Sequence, residues 1–455
     1  MNVLTFRLLG LAAATTILTF SACKKEEAPF PTSLEQQVKD YPSDVLQGWN
    51  DLFLVIERYA DGYRPGPAPR TLAYLGLAAY EAALPGMSDE YQSLEPLYRD
   101  QGLRIPLVEE GESYHWPTVV NASYAALMKQ FFPHVAPDLK FRIYQLEAQN
   151  DEAAIQKISR SIFERSKRHG EAVAGAVFLW SASDVVGHNA FLNARPNTYF
   201  PPSGPGLWQP TYPDYSKGLF PFWGNARTLA IRPTDKLALP PLPFSEQQGS
   251  LLRNEAMVVY NLNTPALSFE QRWIAEFWSD DALNLTFSPP SRFIAIANQV
   301  LKKENANLAL GLYACLKVGL ALNDAGIACW HSKYVYNYER PVSYIRRVIA
   351  PNWEPHNPFT PSFPAYPSGH ATFGAAAAEV LSNVFGESYS MEDNSHIDRT
   401  DFLGMPRAFD SFREMAEENA YSRLPLGVHF RMDAVEGVRH GYQIGRRVNE
   451  LPIKR

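Results

Sequence analysis

The sequence predicts an all-α protein, a helical bundle carrying long irregular loops. Apolar residues recur at helical spacing from about residue 42 to the end, strand-like alternation is scarce, and the interruptions are dense in proline and aromatic residues. With 455 residues and 46% apolar content, the chain can fill a large core. Its net charge of −6 excludes the basic footprint of a nucleic-acid binder. Any anion chemistry must therefore come from a local cluster of cations.

Residues 1–23 read as an export signal, in which Arg7 precedes an apolar run from Leu8 to Phe20 that ends in Ser21-Ala22-Cys23. The run is too short to span a bilayer comfortably. Phe20-Ser21-Ala22-Cys23 resembles a bacterial lipobox, which predicts lipidation of Cys23; Phe20 departs from the usual leucine, and an ordinary secretory signal is the alternative. The predicted location is the bacterial cell envelope, periplasm or outer membrane, with the membrane reached only through an N-terminal lipid. Residues 24–35 form a polar tether, and 36–455 a single helical domain. No later stretch reads as long and apolar enough to cross a membrane.

The first helical face is marked by Val45-Leu46, Trp49, Leu52, Leu54-Val55 and Tyr59. Residues 70–84, rich in small side chains, form a second helix suited to close packing. Helices follow at about 117–131, 137–168 and 170–185. Residues 186–243, dense in Pro, Gly and aromatics, form either a wall or lid of a site or a wrap over the bundle. Helical pattern returns at about 245–263, 268–282, 291–304 and 306–340. Residues 351–366 are a proline-rich loop, those after 390 to about 403 are loop-like, and helices near 407–420 and 430–448 close the chain. Beyond Cys23 only Cys315 and Cys329 remain. On one helix they lie roughly 21 Å apart, so both are free thiols, and no Cys/His spacing suggests zinc.

Three clusters carry chemistry, all within about 306–450. Pro367-Ser368-Gly369-His370 opens an alanine-rich helix, with Ser368 as the cap. The first amides of such a helix lack internal partners and favour an oxyanion; Gly369 allows close approach, and His370 stands beside it as a proton carrier. Upstream, Lys333 and Arg340 are seven apart, which on one continuous helix turns both cations to the same side. Downstream, Arg423 offers a planar fork for an oxyanion, and His429 and Asp433 are four apart at a helix start. There the carboxylate accepts from one ring nitrogen and leaves the other aimed at the anion, as a nucleophile or metal ligand requires. Each cluster alone is equally readable as a cap, a basic stripe or a surface contact; their company decides.

Lys-x6-Arg-Pro, Pro-Ser-Gly-His and Ser-Arg-x5-His-x3-Asp, in this order, resemble the signature motifs of the superfamily uniting vanadium-dependent haloperoxidases with type 2 phosphatidic-acid phosphatases. The resemblance implies that fold, with vanadate (orthovanadate) or phosphate held by Lys333, Arg340 and Arg423, and with Ser368 and the Gly369 amide as further donors. It makes His429 the axial ligand of vanadium or the phosphoryl-accepting nucleophile, His370 the general acid/base, and Asp433 the residue that orients His429. Lys333 would also polarise bound peroxide. Length, export signal and the expected absence of membrane helices are similar to the haloperoxidase branch, whose substrates are hydrogen peroxide and halide (iodide or bromide) and whose product is hypohalous acid. Trp330 and Phe363 resemble the aromatics that line its bacterial sites, though core packing explains them equally; His331 and Tyr336 are within reach of the site without specific support. The alternative is an exported acid phosphatase that cleaves a phosphate ester through a phosphohistidine; a binding protein without turnover is a further reading. Association into a homo-oligomer is an expectation of the resemblance.

Overall fold

The computed structural model describes residues 36–263, 267–280, 285–356 and 359–455. The expected export signal, Cys23 and the tether lie outside the described residues. Among those described, regular structure is helical apart from a two-stranded antiparallel ribbon, Met391–Asp393 with Arg407–Phe409, in which Met391 faces Phe409. The ribbon corrects the reading of 390–403 as loop alone. It also delays the helix expected from 407, which begins at Phe412 after the Ser411 cap.

The Leu308–Tyr336 helix lies at the centre, packed against Pro67–Ala83 on one side and Gly369–Phe385 on another. By length and composition it could cross a bilayer, contrary to expectation, but its apolar surface is almost wholly buried inside the protein. One apolar cluster extends from Val38 to Ile453 around it. In the Asp44–Tyr59 helix the buried stripe is Leu46, Trp49, Phe53, Leu54 and Ile56, while Tyr59, expected on that face, is exposed.

Several helix boundaries fall elsewhere than the sequence suggested, each for a local reason. The break expected near 169 does not occur. Helix Pro137–Ile155 ends earlier, and Arg160–Ala182 starts where the Ser159 hydroxyl accepts from the Ile162 amide. His169 and Gly170 lie inside that helix, His169 buried beside Ala82 and Tyr114 and Gly170 against Val119. Leu251–Asn261 begins only after the Ser250 cap, and Phe269–Phe277 ends short of 282. The 306–340 segment is not one helix: Asn337 takes a left-handed conformation (φ 46°) and ends it. Arg340 is extended, as a residue before proline prefers, and Pro341–Val348 starts a new helix.

The closest helix pairing is Gly369–Phe385 along Arg431–Asn449. A Cβ on Gly437 would lie 2.7 Å from Ala371 Cβ and 2.8 Å from the Ser368 carbonyl; on Gly441 it would lie 2.8 Å from Ala375 Cβ and closer still to the Thr372 carbonyl. Only glycine permits this approach. It sets the start of one helix against the start of the other, and the Ser368 amide donates to the Asp433 carbonyl at 2.9 Å.

Candidate active site

The three sequence clusters meet at these two helix starts. Lys333, on the last turn of the central helix, is fully buried, and its Nζ donates to the carbonyls of Pro364 (2.9 Å), Ala365 (2.8 Å) and Pro367 (2.6 Å). Arg340 reaches the same place from the extended residue before Pro341, not from the helix that carries Lys333. Its Nε donates to Phe363 O at 2.8 Å and its guanidinium to Val428 O at 2.8 Å. The two cations converge because the chain turns back after Asn337, and both lie within 5.0 Å of the Phe363 ring. That geometry replaces the shared helix face expected from their spacing.

The Ser368 hydroxyl caps Gly369–Phe385, accepting from Ala371 N at 3.4 Å, so its own proton remains to be donated. The Gly369 amide, first in the helix, has no carbonyl within the helix to bond. Asn419 holds the His370 carbonyl at 2.9 Å. Arg423 follows the Phe412–Tyr421 helix; it donates to Trp278 O at 2.6 Å and Ser422 Oγ at 2.9 Å and lies 3.2 Å from His370 Nε2.

His429 and Asp433 adopt the arrangement that their spacing suggests. Asp433 Oδ2 accepts from the Phe430 amide at 3.0 Å, capping Arg431–Asn449, and lies 2.9 Å from His429 Nδ1. The carboxylate requires the proton on Nδ1, which leaves a lone pair on Nε2, where Arg340 donates at 3.2 Å. Burial, then the neighbouring cations Arg340, Lys333 and Arg423, hold His429 well below the ordinary imidazole range. Burial and Arg423 do the same to His370. Both rings are therefore neutral near pH 7. Burial lowers Lys333 and raises Asp433, each opposed by the other's charge.

Trp330 and Phe363 pack with ring centroids 4.9 Å apart, and Trp330 lies against Gly369. The irregular 186–243 segment backs this wall: Leu219 O accepts from Trp330 Nε1 at 3.1 Å, and Leu219 N donates to Ser362 O at 2.9 Å. It thus wraps the central helix and stiffens one side of the site at once. Tyr336 donates instead to Ala238 O, and His331 packs on Gly224, so neither joins the cluster. Cys315 and Cys329 are buried free thiols.

The sequence reading missed the carbonyls of 364–367 that hold Lys333, the Trp278 carbonyl that holds Arg423, and the glycines at 437 and 441. Small residues four apart were the available signal for the glycines; backbone carbonyls leave none.

The arrangement suits a multiply charged oxyanion. A buried lysine whose three donors meet carbonyls rather than a carboxylate keeps its charge uncompensated by those bonds, and two arginines, a helix N-terminus and a neutral imidazole lone pair adjoin it. Fold and site define a helical protein built to hold such an anion.

Comparison with known proteins agrees. Residues 313–452 match the family model described as the VCPO second helical-bundle domain. The chain is 25% identical to vanadium chloroperoxidase of Curvularia inaequalis over 89% of this chain and 81% of that protein. A shorter match, 32% identical, covers 19% of this chain and 17% of the vanadium-dependent bromoperoxidase of Ascophyllum nodosum. The crystal structure of a bacterial vanadium-dependent iodoperoxidase superposes with a TM-score of 0.80 at 29% identity, covering 91% of this chain and 97% of that one. A holo-type bacterial vanadium-dependent chloroperoxidase shares the fold, with a TM-score of 0.62 at 17% identity over 87% of this chain and 95% of that one. In fold, and in the residues 313–452 that carry the site, the chain is similar to vanadium-dependent haloperoxidases.

Proposed function

We propose that this protein is a vanadate-dependent haloperoxidase that oxidises iodide or bromide with hydrogen peroxide, taking up a proton and yielding hypohalous acid and water. The observation that carries the reading is His429: Asp433 fixes its Nδ1 proton, so a neutral Nε2 lone pair stands among buried cations. Bound there, vanadate supplies a Lewis-acidic centre that activates hydrogen peroxide towards halide. Arg340, Arg423 and Lys333 hold the anion's oxygens, joined by the Ser368 hydroxyl and the Gly369 amide. One Lys333 N–H would turn from its carbonyl acceptor to the anion. His429 Nε2 would bind the metal, its lone pair freed by the Asp433 contact at Nδ1. His370, neutral and beside Arg423, takes up and returns the proton exchanged by peroxide and water. Trp330 and Phe363 pack beside Lys333 and Arg340 and would limit water there. The likeness to the iodoperoxidase structure favours iodide as the better halide. We place the protein outside the cytoplasm, anchored through lipidated Cys23.

The test uses protein lacking residues 1–23, incubated with orthovanadate in phosphate-free buffer. Iodide and bromide oxidation by hydrogen peroxide is compared with hydrolysis of a chromogenic phosphate ester. Vanadate-dependent iodide oxidation, inhibited by phosphate and absent in His429→Ala, is expected. Ester hydrolysis inhibited by vanadate, with no halide oxidation, would overturn the proposal in favour of a phosphatase; vanadate binding without either turnover would leave a binding protein.

A further inference from the structure

Behind Arg423 lies a second buried charge cluster that the three motifs do not include. Arg292 is wholly buried at the start of the Arg292–Lys303 helix. It donates to Asp280 Oδ1 at 2.9 Å and, through Nε and NH2, to Asp393 Oδ2 at 3.0 and 2.8 Å. His396 Nε2 lies 2.8 Å from the same Asp280 oxygen. Four side chains from three separate stretches thus close one network with next to no exposure, Asp280 at 1%, Asp393 at 0% and His396 at 2%. Burying this many charged groups is expensive unless their geometry is tightly held. The ribbon Met391–Asp393 with Arg407–Phe409, which supplies Asp393, is the one piece of sheet among the described residues.

The network ends on the site. Arg292 also donates to Phe277 O at 2.7 Å, and its guanidinium stacks 4.0 Å from the Trp278 ring centroid. The next carbonyl, Trp278 O, is the one that holds Arg423 at 2.6 Å. The C-terminal end of the Phe269–Phe277 helix therefore aims two successive carbonyls at two arginines, one in the network and one in the oxyanion site. Trp278 is fixed at its far edge too, its Nε1 donating to Glu418 Oε1 at 2.9 Å. With Arg292 against two carboxylates and a neutral His396, the network carries one surplus negative charge. Asp280 is the one carboxylate among the charges that act on His370, the others being Arg423, Arg292 and Lys333.

We propose that Arg292, with Asp280, Asp393 and His396, is a positioning network for oxyanion binding: it fixes the Trp278 carbonyl, and through it the fork of Arg423. The inference rests on the oxyanion site proposed above. Residues that orient a ligand-holding group through one intermediate contact typically change affinity by about 10- to 100-fold when lost. A change of that size is expected here.

The test measures orthovanadate binding by isothermal titration calorimetry, with inorganic phosphate as a second probe, together with the melting temperature. The proteins are wild type, Arg292→Lys, Asp393→Asn and Glu81→Gln. Arg292→Lys keeps the charge but loses the fork that spans Asp280 and Asp393. Asp393→Asn removes one charge while retaining an acceptor, and keeps the proposal open to test should the arginine variant fail to fold. Glu81 is buried on the Pro67–Ala83 helix, bonded to Ser93 and the Leu94 amide and to no member of the network or the site, and serves as a control for stability loss alone. Folded Arg292→Lys or Asp393→Asn with vanadate affinity weakened about tenfold or more, against unchanged affinity in Glu81→Gln, supports the network. Unfolding of both variants, which would make the network structural alone, or folded variants that lose melting temperature but bind vanadate as wild type does, would overturn it. Wild-type protein that binds neither anion would instead remove the oxyanion site itself.

Discussion

Asp433→Asn is the most informative single change, because one carboxylate oxygen serves both the fold and the chemistry. Asp433 Oδ2 caps the last helix through the Phe430 amide and lies within hydrogen-bond distance of His429 Nδ1. Asparagine can keep the cap with its carbonyl oxygen. The same oxygen also accepts from Nδ1, so the tautomer is kept, but the carboxylate charge that raises the basicity of Nε2 is lost. A hydrogen bond to a charged group contributes about 1.5–3 kcal/mol against about 0.5–1.5 kcal/mol for a neutral one, a difference on the order of 10-fold in affinity for the ligand-bearing state. Stability should change less, since the cap survives. Calorimetric titration with orthovanadate and thermal unfolding of the same samples separate the two effects. Unchanged vanadate affinity in a folded Asp433→Asn protein would refute a role for the Asp433 charge in binding through His429.

Three further outcomes follow from the geometry. Lys333→Met should weaken orthovanadate binding by about 10-fold or more and also lower the melting temperature, since three buried carbonyls lose their donor at about 1–3 kcal/mol for each left unsatisfied. A variant that binds as wild type does would remove Lys333 from the site. Gly441→Ala should destabilise by about 1–3 kcal/mol through overpacking against Thr372 and Ala375, measured by denaturant unfolding, and should weaken anion binding because Ser368 and Asp433 are pushed apart. As for pH, His370 and His429 are depressed below their unfolded value, so the unfolded chain binds more protons and stability falls as pH drops below about 6.5. Each contributes at most about 1.4 kcal/mol per pH unit in that window. Melting temperatures between pH 7 and 5 should fall less steeply in His370→Gln/His429→Gln than in wild type, and equal slopes would contradict the burial of neutral rings.

What could be read in the sequence was what depends on residue type and short spacing. Ser368, His370, His429 and Asp433 are local signals, since a cap and an i to i+4 pair are complete within one turn of helix. The helical character was legible for the same reason. Arg340 shows the limit: its proximity to Lys333 was foreseen from a helix that in fact ends at Asn337, and the restriction that Pro341 places on its predecessor was the signal for the break. The helix boundary near 169 failed because Gly170 reads as a breaker while serving as a packing contact against Val119. Groups that act through backbone carbonyls, such as Trp278 on Arg423 or Pro364 on Lys333, carry no side-chain signature. The Asp280, Arg292, Asp393 and His396 network joins residues more than one hundred positions apart, and nothing local marks its members as partners.

The central claim is that His429 Nε2 binds vanadium within a cage of buried cations. X-ray absorption at the vanadium edge, on protein loaded with one equivalent of orthovanadate, tests it most directly. The account predicts a nitrogen neighbour in the wild-type spectrum that disappears in His429→Ala. An oxygen-only environment, identical in wild type and variant, would contradict it.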